Sequence, residues 1–141
     1  MKHPLLYLIF LFWFNSSSAQ TTDSIPRQLD LRLVGSWSGF EKGSQLKGAA
    51  KYWVQHRADD GTFILLFTLI NKKGEVQSTA EKGKWWVENG VFYELHFASG
   101  ETDTYTYEIL DNERTKFKLK SSAMSFSEEK YEFIDTKIKD L

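Results

Sequence analysis

Short runs of aromatic and β-branched residues, separated at close intervals by turn signals, are the feature that most constrains this chain. The strongest signal is Asn89-Gly90, a two-residue sequence typical of β-hairpins because both positions accept a positive φ. Residues 59–61, 71–74 and 99–100 have a similar turn composition. No stretch of the sequence shows a sustained helical period of apolar residues. The pattern therefore predicts an all-β domain in which consecutive strands pair as antiparallel hairpins.

Eight or nine short strands follow from this pattern, after a single helical turn at 28–33. They are 35–40, 51–57, 62–70, 75–80, 82–88, 91–98, 102–110, 113–120 and a last strand within 124–134. A meander of this size has two unpaired edges unless it closes, and closure into a barrel removes them. The predicted fold is an antiparallel up-and-down barrel of about eight strands, with an interior that is either filled or able to hold one small ligand.

Alternation along the strands predicts which side chains face the barrel interior. The inward positions are expected at Val91, Tyr93, Leu95, Phe97, Tyr105, Tyr107, Ile109, Phe117 and Leu119. His96, on the opposite face of its strand, is then expected to be exposed. The 62–70 strand is apolar on both faces, which predicts that the N-terminal segment or the tail covers its outer side.

The N-terminal residues have the layout of a secretory signal peptide. A basic start precedes an apolar run at 5–14 and small polar residues up to Ala19, with cleavage expected between Ala19 and Gln20. The apolar run is shorter than the roughly 20 residues of a membrane-spanning helix; a buried N-terminal helix or an uncleaved anchor are the alternatives. The sequence thus predicts export to the periplasm or the medium, with no membrane span after cleavage. The predicted boundaries are a signal peptide at 1–19, a flexible leader at 20–32, a barrel domain at 33–135 and a tail at 136–141.

Composition excludes several classes of partner and chemistry. The 18 basic and 19 acidic residues nearly balance, so the surface has no general attraction for nucleic acid or anionic lipid. The strand 114–120 alternates basic and apolar residues, which on an exported, balanced protein indicates a lysine-lined outer face rather than a nucleic-acid site. The chain has no cysteine, so its core must stabilise it without disulfides, and thiol catalysis and thiolate metal sites are excluded.

Catalytic and metal-binding residues do not form a recognisable set. His56 lies close in sequence to Asp59 and Asp60, which would allow a metal site or a general-base pair, but the aspartates are typical residues of an Asp-Gly turn. No serine lies in a nucleophile elbow, and no phosphate-binding glycine loop is present. We therefore expect a protein that is not an enzyme and has no cofactor or metal.

The Gly35-Ser36-Trp37 sequence, preceded by Leu33 and Val34 and followed by the predicted meander, resembles the first strand of the lipocalins and of the wider calycin group. The resemblance implies that Trp37 closes one end of the barrel. It also implies that the glycine lets the strand bend and another backbone approach, so that the small neighbours leave room for the indole.

One departure from the lipocalin pattern concerns a cation. In that family an arginine late in the chain lies against the tryptophan. This chain has only lysines after Arg114, and Lys130 or Lys137 would have to take that place. A filled sandwich or an unrelated small barrel is the alternative architecture.

Aromatic residues are the main functional signal, although filling of the core alone would also explain them. The candidate ligand-binding residues are Trp37, Tyr52, Phe63, Phe67, Trp85, Tyr93, Tyr105, Tyr107 and Phe117. Buried tyrosine hydroxyls need hydrogen-bond partners, which a ligand can supply. Trp85 and Trp86 are adjacent and must point to opposite sides, so one of them lies outside or at a rim.

Two functions follow from these residues. The first is a lipocalin-like barrel that holds a small apolar ligand inside. The alternative is an envelope protein of the inhibitor or immunity type, which binds a protein partner through loops such as 41–48 or through an outward tryptophan and uses the barrel as a scaffold. Neither the ligand nor the partner is specified by the sequence.

Overall fold

The computed structural model of the protein describes residues 27–43, 46–122 and 131–139. After a 3₁₀ turn at Leu31–Leu33, the strands are β1 Gly35–Lys42, β2 Ala50–Arg57, β3 Thr62–Ile70, β4 Val76–Glu88, β5 Val91–His96, β6 Thr102–Ile109, β7 Arg114–Ser121 and β8 Glu132–Lys137. Each strand pairs with the next and β8 pairs with β1, all antiparallel, so the sheet is a closed barrel. The predicted all-β, eight-stranded, up-and-down fold is confirmed.

The two strands predicted at 75–80 and 82–88 form one continuous strand, β4, of 13 residues. Gly83 lies within it at a point of close approach rather than at a turn. A Cβ there would stand 2.0 Å from the carbonyl oxygen of Leu95 and 2.3 Å from the ring of Phe63. The glycine therefore lets the Phe63 ring pack against the strand, and the count becomes eight.

The seam between the first and last strands is short. Only three residue pairs join β1 to β8, from Trp37 opposite Lys137 to Gly39 opposite Asp135. The last strand continues to Lys137, two residues beyond the boundary predicted for the barrel domain. The first part of the interval predicted for it, 124–130, lies outside the described residues.

The N-terminal residues that the structure describes lie against β4. Gln28 and Val87 exchange two backbone hydrogen bonds of 3.1 and 2.7 Å, and the Arg27 guanidinium lies 4.2 Å from the centre of the Trp86 ring. The predicted signal peptide, 1–19, and residues 20–26 of the leader are outside the described part of the chain. None of the helical segments that are described is long and apolar enough to cross a bilayer.

One end of the barrel is closed by packed aromatic rings. The buried cluster there consists of Leu33, Phe63, Trp85, Phe92, Tyr105 and Phe117. The Phe92 ring lies 5.9 Å from Trp85 and 5.2 Å from Phe117, centre to centre. Because each such ring contributes roughly 2–3 kcal/mol when it is removed from water, this cluster provides a large part of the hydrophobic stabilisation.

The inward faces predicted for β6 and β7 are confirmed, since Tyr105, Tyr107, Phe117 and Leu119 all pack into the core. The prediction for β5 is wrong. Its inward residues are Phe92, Glu94 and His96, and Tyr93 lies outside, stacked on Trp86. The turn at Asn89-Gly90 places Trp85 opposite Glu94, and residues directly opposite share a face. With Trp85 inside, Glu94 must be inside as well.

The outer side of β3 was predicted to be covered by the N-terminal segment or the tail. No described residue covers it. Ile64 is 57% exposed and Leu66 is 51% exposed. Both side chains alternate with inward ones, as a strand with one dry face requires, and yet both are large and apolar.

Candidate functional site

Trp37 lies at the closed end and is almost fully buried. Its indole nitrogen donates a 2.8 Å hydrogen bond to the Leu33 carbonyl. The Lys137 ammonium is 5.4 Å from its ring centre, so a lysine of the last strand takes the place that the lipocalin resemblance gives to an arginine. Lys130, the other candidate, is outside the described residues.

Gly35 and Gly39, on either side of Trp37 in the sequence, leave room for the side chains of Lys137 and Trp53 and not for the Trp37 indole. A Cβ at Gly35 would stand 3.1 Å from Cε of Lys137, and a Cβ at Gly39 would stand 2.0 Å from the ring of Trp53. The small residues of β1 therefore admit the lysine that covers Trp37 and a second tryptophan from β2, which corrects the expectation that they make room for Trp37 itself.

Above the aromatic cluster the interior becomes polar. Arg57, 2% exposed, and Asp135, which is fully buried, form an ion pair inside the barrel. The Trp53 indole donates a 2.7 Å hydrogen bond to the other carboxylate oxygen of Asp135. The Arg57 guanidinium lies 5.1 Å from the ring centres of both Phe92 and Phe117, so the rings stabilise its charge from below.

Glu94 occupies the next position toward the open end. The Gln55 amide donates a hydrogen bond to its carboxyl group. Burial raises the pKa of Glu94, which favours the protonated, neutral form. Glu94 is therefore held in the barrel interior by its hydrogen bond with Gln55.

The His96 cluster, made of Glu81, His96 and Asp103 on the neighbouring strands β4, β5 and β6, lies above Glu94. Nδ1 of His96 is 2.7 Å from a Glu81 oxygen, and Nε2 is 3.4 Å from an Asp103 oxygen. Interaction with Asp103, with further contributions from Glu94 and Glu81, raises the pKa of His96 to about 9. The ring is an imidazolium at neutral pH and the cluster carries a net charge of −1. The expectation that His96 is exposed is wrong, because only 16% of its side chain is accessible.

A second polar group lies across the barrel on β1 and β2. The Lys51 ammonium is 3.2 Å from a Glu41 oxygen and 5.2 Å from the ring centre of Tyr131. Burial, and next the negative charge of Glu41, raise the pKa of Tyr131. The phenol therefore stays neutral and the pair of opposite charges leaves this wall without net charge.

A cavity of about 370 Å³, called the upper cavity here, lies between these two polar walls at the end of the barrel away from Trp37. Its apolar walls come from Leu65, Phe67 and Leu69 of β3 and, across the barrel, from Leu119 of β7. Its volume is within the range of small-molecule sites, roughly 300–1,000 Å³.

A smaller space of about 180 Å³, the lower cavity, continues toward Arg57 and Phe117. It shares Phe67, His96 and Tyr105 with the upper cavity. The two spaces are therefore adjoining parts of one interior.

The candidate residues from the sequence are divided among three places. Phe67 and Tyr105 line the upper cavity, and Phe117 lines the lower one. The closed end holds Trp37, Phe63, Trp85 and Tyr107. Tyr52 and Tyr93 lie outside the barrel, where the Tyr52 ring packs at a tilt against Phe40 and the Tyr93 ring stacks on Trp86.

Tyr107 has its own partner at the closed end. Its hydroxyl donates a 2.9 Å hydrogen bond to Asp30, and burial together with that bond raises the pKa of Tyr107 to about 12. Its hydroxyl thus ties β6 to the segment before the 3₁₀ turn and does not face the upper cavity.

Sequence reasoning missed the polar residues of the interior, above all Glu81, Glu94, His96 and Asp103. The signal that would have found them is the register of the Asn89-Gly90 hairpin. It fixes the face of Glu94 from that of Trp85, and His96 follows two residues later. Among the described residues, no group of three or more His, Asp or Glu side chains is arranged to hold a metal ion.

A further concavity lies on the outside of the barrel. It measures about 470 Å³ and lies over β8, β1, β2 and β3. It is open to solvent along its length, which makes it a surface groove rather than an enclosed small-molecule site.

No protein-family model matches the sequence, and no curated protein matches it significantly. The structure itself shows a closed eight-stranded antiparallel barrel, which is consistent with a lipocalin-like fold.

Proposed function

We propose that the protein is an exported, lipocalin-like barrel that binds a small amphipathic ligand in the upper cavity. The observation that carries this proposal is the combination of two opposed apolar walls with two opposed polar walls around one space. An apolar body would pack against Phe67, Leu69 and Leu119, where its removal from water provides most of the affinity.

The polar part of the ligand would face the His96 cluster. Because that cluster has a net charge of −1 and the opposite wall has none, we expect cationic or neutral head groups to bind better than anionic ones. Glu101 at the rim adds a further negative charge on the same side.

We propose binding rather than catalysis. The only histidine of the upper cavity among the described residues is held between two carboxylates as an imidazolium. It has no free lone pair to act as a general base at neutral pH.

The apolar part of the proposal is tested with N-phenyl-1-naphthylamine, a neutral dye that fluoresces in apolar surroundings. We expect the protein to bind it with a Kd of ~1–100 μM. Leu119→Trp places a large ring in the upper cavity and should weaken binding by about tenfold or more. Leu110→Trp, the same change at an exposed position after β6, is the control and should leave binding unchanged. Dye binding that survives Leu119→Trp undiminished would show that the site is elsewhere.

The polar part is tested by displacing the dye with decyl compounds that differ only in the head group. Decyltrimethylammonium should compete better than decanoate by about tenfold, or 1.4 kcal/mol, and Asp103→Asn should reduce that preference. Glu108→Gln, which removes an exposed charge from the outside of β6, should not. Equal competition by both compounds would remove the head-group part of the proposal and leave the apolar part standing.

Export rests on the sequence of residues 1–19 and is tested by the mass of the protein isolated from the periplasm or the medium. A chain that begins at Gln20 is expected. An intact Met1 in that fraction would rule out the predicted cleavage.

Protein–protein binding, the alternative function, involves a different surface from the one predicted for it. The feature that favours it is the outside of β1, β2 and β3, with its exposed apolar side chains.

A further inference from the structure

The outer apolar face is a group of large apolar residues on adjacent strands. Each of them is about half exposed to solvent, between 42% and 57%. It consists of Phe40, Tyr52, Val54, Ile64, Leu66 and Ile134. Isolated exposed apolar residues are ordinary on protein surfaces, but a contiguous group of this size marks an interaction site.

The strand register makes the face continuous. Phe40 lies opposite Tyr52, and Val54 lies opposite Leu66. Ile134 reaches the same groove from β8 across the seam. Four consecutive strands therefore contribute to one surface without interruption.

The charges around the outer apolar face stand at its borders. None of the residues that line its groove is charged. Lys82 lies opposite Ile64 on one side, and Lys116 lies opposite Ile134 on the other, where it pairs with Glu132. An apolar centre with a polar border is the usual arrangement of a protein interface.

The outer apolar face contains both a ridge and a groove. The Phe40 and Tyr52 rings, 4.7 Å apart, form the ridge. The groove of about 470 Å³ beside it is floored by Gly39 and has the small residues Ser38 and Thr136 in its walls. A twofold rotation would bring the ridge of one copy to the groove of another, because a twofold interface uses the same patch on both partners.

Three features restrict what can occupy the outer apolar face, and a second copy of this chain meets all three. The sheet is closed, so the strands of this face have both edges paired and a partner must pack on side chains rather than add a strand. An uncharged groove does not select a partner of opposite charge. Residues 20–26, which would precede Arg27 after cleavage, contain only one large apolar residue, Ile25, too few to cover the face.

The size of the face is sufficient for a weak dimer. Six side chains of this kind, half exposed, would remove on the order of 1,000 Å² from water in a symmetric pair, near the lower limit of specific interfaces. We propose that two copies of this chain pair through the outer apolar face about a twofold axis, with the two upper cavities left open.

The test is sedimentation velocity of the mature protein over a range of concentrations, from about 1 to 500 μM. We expect a reversible dimer with a Kd of ~1–100 μM. Val54→Lys combined with Leu66→Lys places like charges at the centre of the face and should weaken the dimer by at least about thirtyfold. Val76→Lys is the control, since Val76 is 62% exposed on β4 outside the face, and it should leave the dimer intact.

A second pair of changes, Val54→Thr with Leu66→Thr, places β-branched side chains at both positions, which suits strands, and removes apolar surface without adding charge. It should weaken the dimer by about tenfold or less. A near-ultraviolet circular dichroism spectrum like that of the wild type shows that each variant is folded, because it reports on buried rings such as Trp37, Trp53 and Trp85 on the other side of the sheet. A wild-type protein that stays monomeric at every concentration, or a dimer that survives both pairs of changes, would overturn the proposal. Neither result would affect ligand binding in the barrel, which the Leu119→Trp experiment decides separately.

Discussion

The two ends of this barrel are built on opposite principles. The closed end is filled by aromatic rings around Phe92 and Phe117, with the Trp37 indole bound to a backbone carbonyl. The open end leaves space and lines it with charges, which hold one another in pairs and in the His96 cluster. The packed aromatic core is thus separated from the open end, whose charged side chains are paired, as polar groups must be when they are removed from water.

The largest effect should come from the boundary between the two ends, at the Arg57–Asp135 pair. Asp135→Ala leaves a buried guanidinium without its counter-charge and should lower the free energy of unfolding by about 3–5 kcal/mol. Asp111→Ala breaks a pair with Arg114 that is about half exposed and should cost less than about 1 kcal/mol. Urea denaturation measures both. Equal losses would mean that the boundary pair is not a buried one in solution.

Two substitutions that shorten a side chain, one at each end of the barrel, test whether the two ends differ in packing. Phe117→Ala opens a void in fully buried packing and should cost about 3–4 kcal/mol. Leu69→Ala enlarges a cavity that already exists at the open end and should cost about 1 kcal/mol, since little close packing is lost. Similar costs at the two positions would show that the upper cavity closes in solution.

Stability should fall with rising pH on account of His96. Its pKa in the folded protein, about 9, is above the ordinary value of 6.5, so the folded state binds more protons between these two values. The stabilising contribution is complete below about pH 6.5 and is lost as pH rises through 9, by about 3 kcal/mol at most. Glu94, whose pKa is also raised, adds a fall of the same sign.

The measurement is the free energy of unfolding at pH 6.5, 8 and 9.5. His96→Gln should flatten the profile, whereas His56→Gln, at an exposed position on the outside of β2, should not. A profile that His96→Gln leaves unchanged would show that the imidazole is not held between the two carboxylates.

The smallest effect concerns the contact of the N-terminal segment with the outside of the closed end. Arg27→Ala removes a guanidinium from above the Trp86 ring and should cost about 0.5–1 kcal/mol. The change in Trp fluorescence during thermal unfolding measures it. Arg114→Ala is a control of the same charge at an exposed site. A larger loss at Arg114 than at Arg27 would place the anchoring elsewhere.

The sequence predicts the strands well because the turns are local. A glycine or an Asn-Gly pair fixes where a strand ends, and the limits of β3 agree at both ends with the prediction. The division of β4 into strands at 75–80 and 82–88 was wrong, because the chain continues through residue 81 and Gly83 makes room inside the strand for the Phe63 ring.

The polar interior was harder to predict because hydrophobicity alone assigns the wrong face when a strand is more apolar on its outer side than on its inner side. In β5 the outward residues Tyr93 and Leu95 are more apolar than Glu94 and His96, which face inward. Pairing across the hairpin decides the matter, since Trp85 and Glu94 are opposite. The partners of His96 on β4 and β6 come from strands that only the closed barrel brings together.

The short seam between β1 and β8 has a consequence for how the barrel forms. Its three residue pairs join segments about one hundred positions apart in the chain, and contacts of such long range are slow to form. Asp135 belongs to the seam, and its carboxylate reaches past β1 to Trp53 and Arg57 on β2. Because this carboxylate needs both side chains in place, we expect the first hairpin to form before the ring closes and the joining of the chain's two ends to be the last step of folding.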